Sequence, residues 1–338
     1  MNLIIPMAGM GSRLRPHTLT TPKPLLLIAG KTIVQRIVEE LAASSSEPIA
    51  HIGFVIGPNF GDAVENALKE VAERLGAQGH IYYQHEPLGT AHAVLCAKPL
   101  LKGNVIIAFA DTLFKAHIKL DTRQDAIIWV HEVEDPSRYG VVRLNKNNLI
   151  TEFHEKPSSF ISRMAIIGIY FFKDGDVLHN ELQYLIDNNI LDKGEYQLTS
   201  ALTNLHQKGA QFGVAPVNEW LDCGHKDAVL YANQRVLELL NEAGNDELIS
   251  SNAYFENTTV IDPCYVADNV QIKNSVIGPY VSIEQNTTIT NSIISNAMIQ
   301  NNTNINYQIL HQTMIGNHVL LNGKSNILSL GDYNTINE

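Results

Sequence analysis

Short apolar runs alternate with amphipathic stretches from the amino terminus to Ala110. The run Leu3 to Ile5 is wholly apolar, as in a short buried strand. Ala63 to Leu75 instead repeats apolar residues at helical spacing. This alternation predicts an α/β fold, with a Rossmann-like, mostly parallel sheet covered by helices on both faces. The predicted strands lie at 3–5, 52–56, 81–84 and 105–110, and the predicted helices at 33–41, 63–75 and 90–97.

From Ala126 the pattern is richer in strands. The apolar runs predict strands at 127–131, 140–144, 149–154, 166–172 and 212–217, and helices at 177–186 and 198–206. The stretch from Trp220 to Gly224 is predicted as a loop. Ala228 to Leu240 then carries apolar residues at helical spacing and is predicted as a helix.

After Gly244 the composition changes to a polar, asparagine-rich repeat. Residues 251–338 contain 16 asparagines and only two basic residues, and an apolar residue recurs about every six positions from Val260 to Ile294. Asn274-Ser-Val-Ile-Gly278 returns 17 residues later as Asn291-Ser-Ile-Ile-Ser295. Spacings of six, six and five fit one triangular coil of a β-helix, with room for roughly four coils. A disordered polar tail is the alternative, but disorder would not preserve the apolar spacing.

Composition narrows the class of protein. A length of 338 residues favours two domains, and 45% hydrophobic residues allow an ample core. The net charge of −11 disfavours nucleic acid or an anionic membrane as a partner. Three cysteines far apart in sequence fit free thiols in a reducing cytoplasm. No signal peptide and no apolar run of transmembrane length is apparent, so we expect a cytoplasmic protein.

A glycine loop with nearby cations follows the first predicted strand. Gly9 and Gly11 allow the backbone to approach a ligand and turn its N–H groups inward. Arg13 and Arg15 follow, and Lys23 stands between two prolines that stiffen its backbone. This combination suits a polyphosphate. The structural alternative is a glycine turn with solvated basic residues.

Two further polar segments fall at predicted strand ends. The segment from Gln84 to Thr90 follows one predicted strand, and Asp111 follows another. Ligands of parallel α/β sheets bind at the carboxyl ends of the strands, so we expect these segments near the glycine loop. Asp111 alone could equally be a helix N-cap or a turn residue. The 13 histidines show no metal-ligand spacing, which favours structural or surface roles.

Together these motifs resemble one enzyme family. The glycine loop extends to Gly9-x-Gly-x-Arg-Leu-x-Pro-x-Thr18 and Pro22-Lys-Pro-Leu-Leu26, followed in order by Gln84…Gly89-Thr90-Ala91, Asp111, Glu155-Lys-Pro157 and Trp220-Leu-Asp-x-Gly224. The chain resembles the sugar-1-phosphate nucleotidyltransferases, or NDP-sugar pyrophosphorylases, in the subgroup with a carboxy-terminal left-handed β-helix of hexapeptide repeats. The resemblance implies a catalytic domain at 1–225, a linker helix at 226–250 and a short left-handed parallel β-helix at 251–330.

The resemblance also implies roles for individual residues. Asp111 and Asp222 would bind Mg²⁺, and Arg13, Lys23, Asp111 and Lys156 would be catalytic. The implied nucleotide-binding residues are Ala8, Gly9, Gly11, Ser12, Arg13, Gln84, Gly89 and Thr90. The implied sugar-phosphate residues are Gly140, Glu155, Lys156 and Glu195.

The implied reaction condenses a nucleoside triphosphate with a sugar 1-phosphate and releases pyrophosphate. Gly89-Thr-Ala91 favours UTP or dTTP, and glucose 1-phosphate or a similar sugar phosphate is the expected partner substrate. Two alternatives stay open: a non-catalytic regulatory subunit that binds sugar nucleotides, and a bifunctional enzyme whose β-helix also acetylates an amino sugar. We also expect a homo-oligomer formed through the β-helix and the linker helix.

Overall fold

The computed structural model describes residues 1–9, 11–45, 47–115, 124–244 and 248–324. These residues form two compact units. The first unit comprises Met1–Leu26 and Lys31–Val229, and the second comprises Leu27–Gly30 and the described residues from Leu230 onward. The predicted end of the β-helix at residue 330 lies outside the described residues. Among these residues, no helix combines the length and apolar character needed to cross a membrane.

The elements up to residue 242 agree closely with the apolar pattern. The strands are β1 Asn2–Pro6, β2 Leu27–Ile28, β3 Lys31–Thr32, β4 His51–Ile56, β5 Gln78–Tyr83, β6 Val105–Ala108, β7 Thr112–Lys115, β8 Ala126–Glu132, β9 Gly140–Leu144, β10 Ile150–Glu155, β11 Met164–Phe172, β12 Phe212–Pro216 and β13 Glu219–Asp222. The α-helices are α1 Ile33–Ser44, α2 Asp62–Arg74, α3 Thr90–Cys96, α4 Gly175–Asp187, α5 Leu198–Gln207 and α6 Lys226–Glu242. Short 3₁₀ helices span Ser12–Leu14, Lys23–Leu25 and Lys98–Leu100.

The main sheet of the first unit has β1 near its centre. Its strands run in the order β10-β9-β11-β6-β1-β4-β5, with β8 pairing with β11 and β12. Strands β6, β1, β4 and β5 are parallel, and β11 joins β6 antiparallel. The predicted Rossmann-like fold is therefore confirmed, with an antiparallel extension on one side. Leu3, Ile4 and Ile5 are fully buried, as expected for a central strand of a parallel sheet.

The carboxyl ends of β1 and β6 are adjacent. The Ala110 N–H donates to the Pro6 carbonyl oxygen at 3.4 Å, so the chain leaving β6 passes the end of β1. The glycine loop after β1 and Asp111 after β6 therefore begin at the same edge of the sheet, as expected for a parallel α/β sheet.

The predicted loop from Trp220 to Gly224 is wrong. Glu219–Asp222 forms β13, which pairs antiparallel with β7 and places Asp222 opposite Thr112. A four-residue strand gives little periodicity, and its partner lies more than a hundred residues earlier in the chain. Its strand character therefore depends on tertiary pairing rather than on local sequence.

The second unit contains a parallel β-helix. Its strands are β14 Tyr254–Glu256, β15 Thr259–Val260, β16 Cys264–Val266, β17 Gln271–Lys273, β18 Val276–Ile277, β19 Val281–Ile283, β20 Thr288–Thr290, β21 Ile293–Ile299, β22 Asn304–Asn306, β23 Ile309–Ile315 and β24 Leu320–Asn322. One face stacks β14, β17, β20, β22 and β24 in parallel. The predicted 17-residue repeat holds from Phe255 through Ile272 to Ile289, and the next coils, at Ile305 and Leu321, are 16 residues long.

Asparagines turn the corners of these coils. Asn257, Asn274 and Asn291 have φ angles of 47°, 50° and 51°, a left-handed conformation that asparagine tolerates better than most residues. The Asn257 amide donates to Asn274 Oδ1 at 2.9 Å, and Asn274 donates to Asn291 Oδ1 at 3.3 Å. The asparagine-rich composition is thus explained by corners at which asparagines stack and hydrogen-bond from one coil to the next.

Helix α6 contributes to the second unit through a buried polar contact. Asn233 is fully buried and accepts a hydrogen bond from Ser282 Oγ at 2.6 Å. Its side-chain amide donates to the Tyr280 carbonyl oxygen at 3.4 Å. Because an unpartnered buried amide is costly, these two bonds fix this part of α6 against the β-helix.

Candidate active site

The glycine loop and Lys23 form one side of a cleft in the first unit. The lining residues are Pro6, Met7, Gly9, Gly11, Ser12, Arg13, Lys23, Pro24, Phe109, Ala110, Asp111 and Gly224. Gly11 has a φ of 58°, and a side chain there would lie 2.9 Å from Lys23 Cβ. Glycine therefore both adopts the left-handed conformation and lets the Lys23 segment approach the loop.

Lys23 is a buried cation at this first cleft. It is 9% exposed, and its Nζ lies 3.5 Å from Asp111 Oδ2. A buried ammonium group requires an opposite charge, and Asp111 supplies one. Asp111 itself is half exposed at the cleft, so it could also contact a bound cation. Arg13 adds a second positive charge to the lining.

A second cleft adjoins the first, because Arg13 and Asp111 line both. The second cleft is lined by Arg13, Thr90, Phe109, Asp111, Thr112, Arg138, Tyr139, Gly140, Glu155, Lys156, Ile166, Ile167, Gly168, Tyr170, Glu195, Gln197, Leu198, Thr199, Trp220 and Asp222. Every implied sugar-phosphate residue is in this set. Gly140 begins β9 and Glu155 ends β10 in the main sheet, Lys156 follows directly, and Glu195 lies between α4 and α5.

The β7–β13 pair brings the two aspartates together. The Cys223 N–H donates to the Asp111 carbonyl oxygen at 3.0 Å, directly beside Asp222. The Trp220 indole N–H donates to Thr112 Oγ1 and ties the same two strands. Two carboxylates next to clefts rich in cations fit Mg²⁺, which prefers few protein carboxylates together with phosphate oxygens and water. Among the described residues, no group of three or more histidine, cysteine or acidic side chains is positioned for a metal.

Gly224 leaves room for the Asp222 carboxylate. A side chain at residue 224 would lie 2.8 Å from Asp222 Oδ1 and 3.3 Å from Arg13 Nη2. Asp222 is also hydrogen-bonded by Tyr139, whose pKa is raised by burial and by the Asp222 charge. Tyr139 therefore stays a neutral phenol that donates to this carboxylate.

Lys156 is fixed in an unusual backbone conformation. Its φ is 41°, although it precedes a proline, and its N–H donates to the Tyr139 carbonyl oxygen at 3.1 Å. The Lys193 ammonium group donates to the carbonyl oxygens of Glu155 and Lys156, both at 2.8 Å. These contacts compensate for the strain of a left-handed lysine.

Glu155 and Glu195 are oriented by neighbouring polar side chains. Glu155 Oε2 accepts a hydrogen bond from Thr199 Oγ1 at 3.0 Å, and Glu195 Oε2 accepts one from Gln197 Nε2 at 3.0 Å. A side chain at Gly140 would lie 3.3 Å from Glu155 Oε2. Glycine at position 140 thus leaves space for the carboxylate, and this steric requirement explains why glycine occurs there.

Three predicted nucleotide-binding residues do not line either cleft, although all three are described: Ala8, Gln84 and Gly89. Gln84 Nε2 donates to the Gly89 carbonyl oxygen at 3.2 Å and lies 3.2 Å from His92 Nδ1. Thr90 lies in the second cleft, where its Oγ1 accepts from the Leu198 N–H at 2.9 Å. Packing explains the glycine at position 89, because a side chain there would lie 2.5 Å from the Tyr196 carbonyl oxygen.

Cys223 lies beside the aspartates but is not a candidate nucleophile. It is fully buried, and burial raises its pKa to about 12. The nearby Lys23 charge opposes this shift without cancelling it. The thiol therefore stays protonated at neutral pH, and only the thiolate is an effective nucleophile or metal ligand.

Sequence reasoning missed three residues in or near the second cleft. Tyr139 lines this cleft beside Gly140, and Lys193, which bonds to the Lys156 carbonyl oxygen, lies two positions before Glu195. Trp220 lies inside the last quoted motif. Adjacency to a motif was the available signal, but their contacts depend on the fold and could not be read from spacing.

Comparisons with known proteins identify a family for this chain. Residues 3–238 match the family model described as nucleotidyl transferase. The chain is 29% identical over 313 residues to glucose-1-phosphate thymidylyltransferase of Streptomyces antibioticus, covering 86% of this chain and 85% of that protein. It is 30% identical over 273 residues to the bifunctional protein GlmU of Methanococcus maripaludis, covering 78% of this chain and 62% of that relative.

A solved structure shows the same fold at lower identity. The crystal structure from Bacillus anthracis assigned as a glucose-1-phosphate thymidylyltransferase in complex with sucrose superposes with a TM-score of 0.58 at 23% identity. The match covers 69% of this chain and 93% of that structure. The chain belongs to the nucleotidyl transferase family. The family resemblance drawn from the motifs is confirmed, and the protein is an enzyme of the nucleotidyltransferase class.

Proposed function

We propose that this enzyme condenses a nucleoside triphosphate, UTP or dTTP, with glucose 1-phosphate or a similar sugar 1-phosphate. The products are an NDP-sugar and pyrophosphate. The observation that carries the proposal is the pair of adjoining clefts, each with its own lysine and both lined by Arg13 and Asp111. Two polyanionic substrates that must meet require two such cationic sites side by side.

The first cleft is the proposed triphosphate site. Gly9, Gly11 and Ser12 would present backbone N–H groups to the phosphates, as glycine-rich loops do. Arg13 and Lys23 would neutralise the triphosphate and the charge that develops on the pyrophosphate leaving group. Ala8, Gln84, Gly89 and Thr90 stay our candidates for contacts to the base and ribose.

The second cleft is the proposed sugar-phosphate site. Lys156 would bind the phosphate of the sugar 1-phosphate and orient its oxygen toward the α-phosphorus of the nucleotide. Glu155, Glu195 and the Gly140 backbone would hydrogen-bond sugar hydroxyls. The attacking oxygen is already anionic, so no general base is needed, and rate enhancement would come from positioning and charge stabilisation.

The two aspartates are the proposed ligands of Mg²⁺. When bound by Asp111 and Asp222, the ion would neutralise phosphate charge and orient the phosphate groups for in-line attack. Tyr139 would keep the Asp222 carboxylate oriented, and Gly224 would leave it space. Lys23 would balance the Asp111 charge.

A panel of sugar 1-phosphates and nucleoside triphosphates tests this proposal. Pyrophosphate release should require both substrates and Mg²⁺ and should stop with a chelator. UTP or dTTP with glucose 1-phosphate should be among the best pairs. Release with no pair, or equal release after chelation, would overturn the corresponding part of the proposal.

A purely regulatory role is disfavoured by the residues themselves. A sensor that only binds sugar nucleotides would not need both cleft lysines and both aspartates, and this chain has all four. A homo-oligomer formed through the β-helix and α6 stays a proposal, which light scattering on the full chain would test. A cytoplasmic location also stays a prediction; the three unpaired cysteines fit it.

A further inference from the structure

The segment Leu27–Gly30 belongs to the second unit, although its chain neighbours belong to the first. It begins four residues after Lys23, the lysine of the proposed triphosphate site. Within the second unit it is contacted by two polar side chains of the β-helix. The Gln300 amide donates to the Leu27 carbonyl oxygen at 3.2 Å, and the Gly30 N–H donates to Glu284 Oε1 at 3.1 Å.

Both side chains are buried. Glu284 is 3% exposed and Gln300 is 7% exposed. Buried polar groups of this kind destabilise a fold unless they are hydrogen-bonded. Their placement on Leu27 and Gly30 fixes the two ends of the segment.

The β-helix repeat does not itself require these residues. Glu284 and Gln300 occupy the same corner of successive coils, where the preceding coil has Ala267 and the next has Gly316. Asparagines at other corners bond to one another along the stack, as Asn257 and Asn274 do. Glu284 and Gln300 bond to Gly30 and Leu27, which lie outside the repeat.

The segment also packs directly on an aromatic side chain of the β-helix. A side chain at Gly30 would lie 2.3 Å from the Tyr265 hydroxyl oxygen, so only glycine allows this approach. Ala29 and Gly30 have φ angles of 45° and 79°. A left-handed alanine is unfavourable by itself, and the hydrogen bonds on either side hold it in place.

The chain between Lys23 and Leu27 is short and stiff. Pro22 and Pro24 fix their φ angles on both sides of Lys23. The Leu25 N–H donates to the Pro22 carbonyl oxygen at 2.9 Å, and the Leu26 N–H donates to the Lys23 carbonyl oxygen at 3.1 Å. A stiff turn of this length transmits a displacement at Leu27 to the Lys23 backbone.

We infer that Glu284 and Gln300 are positioning residues for Lys23, acting through Leu27–Gly30. The inference rests on the proposed role of Lys23 in binding the triphosphate. Under this inference the β-helix contributes to catalysis through these two side chains and does not itself bind a substrate. Since Lys23 would act on charge that develops in the transition state, its misplacement should lower kcat more than it raises either KM.

The test compares the full-length enzyme with the double variant E284A/Q300A. We expect kcat to fall roughly tenfold to a hundredfold, because small misplacements of a catalytic group have effects of this size, with both KM values changing about twofold or less. Hydrogen exchange measured by mass spectrometry should increase in peptides that contain Gly30. The single variant E284Q, which keeps an oxygen acceptor, should restore most of the activity that E284A loses.

Asn286→Gly is the matched control. Asn286 lies in the same coil as Glu284, its side chain bonds to the neighbouring corner asparagines Asn269 and Asn302, and its φ of 58° is one that glycine tolerates. It should lose stability without losing kcat. Unchanged kcat in E284A/Q300A, or unchanged exchange at Gly30, would overturn the inference.

Failure of the proposed function would look different. A wild-type enzyme without turnover on any substrate pair would contradict the proposed reaction, while faster exchange at Gly30 in E284A/Q300A would still report the loss of its contacts. If the double variant does not fold, Q300A decides the question by the same kcat and exchange measurements, with E284Q expected to stay close to wild type.

Discussion

The two units use left-handed backbone conformations for different purposes. In the second unit such residues are mostly asparagines that recur at coil corners, from Asn257 to Asn302. In the first unit two lysines, Lys156 and Lys193, adopt this conformation beside the second cleft. A left-handed residue that recurs at every coil indicates a structural role, because another residue that tolerates the same conformation can replace it. A single strained lysine held by specific hydrogen bonds indicates a site.

Charge follows the same division. The β-helix sequence from residue 251 has two basic residues, whereas the clefts of the first unit collect Arg13, Lys23, Arg138 and Lys156. An acidic protein must concentrate its cations where anions bind. The comparison therefore predicts that single changes in the clefts affect activity, and single changes at the corner asparagines of the repeat affect stability.

The largest effect is expected for Lys23→Ala. Removal of a preorganised cation that stabilises developing charge should lower kcat by about a hundredfold to a thousandfold. The control is Lys31→Ala, because Lys31 pairs with Glu39 at an exposed position. Steady-state kinetics should find the control near wild type, and similar kinetics for both variants would refute the role of Lys23.

A smaller effect is expected for Lys193→Met. This change keeps most of the aliphatic side chain but removes the ammonium group that bonds to the Glu155 and Lys156 carbonyl oxygens. Loss of charge-assisted hydrogen bonds should raise KM for the sugar 1-phosphate about tenfold while KM for the nucleotide stays constant. An equal rise in both KM values would indicate general damage instead of a local effect on Lys156.

Substitutions at Asn291 test the repeat. Asn291→Ala loses corner hydrogen bonds and forces alanine into a left-handed conformation, which costs about 1–2 kcal/mol. Asn291→Gly loses the same bonds but tolerates the φ angle, so it should be less destabilised. Urea unfolding measures both, and kcat should match wild type. A loss of activity in the folded Asn291→Gly enzyme would break the division between the units.

The smallest effect concerns pH. His51 Nδ1 lies 3.1 Å from His80 Nε2, and the pKa of His80 is lowered by burial and then by the His51 charge. The unfolded chain therefore takes up this proton first as pH falls below the usual value of 6.5. The contribution to stability is full above that pH and is lost as pH falls toward the lowered pKa. Urea unfolding of His80→Gln should show a shallower loss of stability between pH 7 and 5, and an unchanged slope would contradict this assignment.

The sequence predicted the β-helix well because its signal is repeated. Because the apolar spacing recurs in every coil, an ambiguous position in one coil can be assigned from the equivalent positions in its neighbours. The apolar spacing therefore located the strands. The change from 17 to 16 residues per coil was not predicted. The change in coil length occurs at one corner. In the first two coils, Asp262-Pro263 and Pro279-Tyr280 lie between separate strands, whereas in the next coil β21 continues through Asn296 as one strand.

The clefts were predicted less completely. Strand ends and motifs located Arg13, Lys23, Asp111 and the Glu155-Lys156 pair at the clefts. The β7–β13 pairing that aligns Asp222 was missed, because it joins two four-residue strands far apart in sequence. The inclusion of Leu27–Gly30 in the second unit has no local sequence signal, since it depends on Glu284 and Gln300.

The central claim is that the adjoining clefts join a sugar 1-phosphate to a nucleotide, and ³¹P nuclear magnetic resonance tests it most directly. With glucose 1-phosphate, dTTP or UTP and Mg²⁺, the enzyme should convert the substrate signals into those of a sugar-nucleotide diphosphate and pyrophosphate. The folded Asp222→Asn enzyme should be strongly impaired under the same conditions. Undiminished product formation by Asp222→Asn, or its absence with wild-type enzyme across all sugar phosphates and nucleotides, would contradict the account.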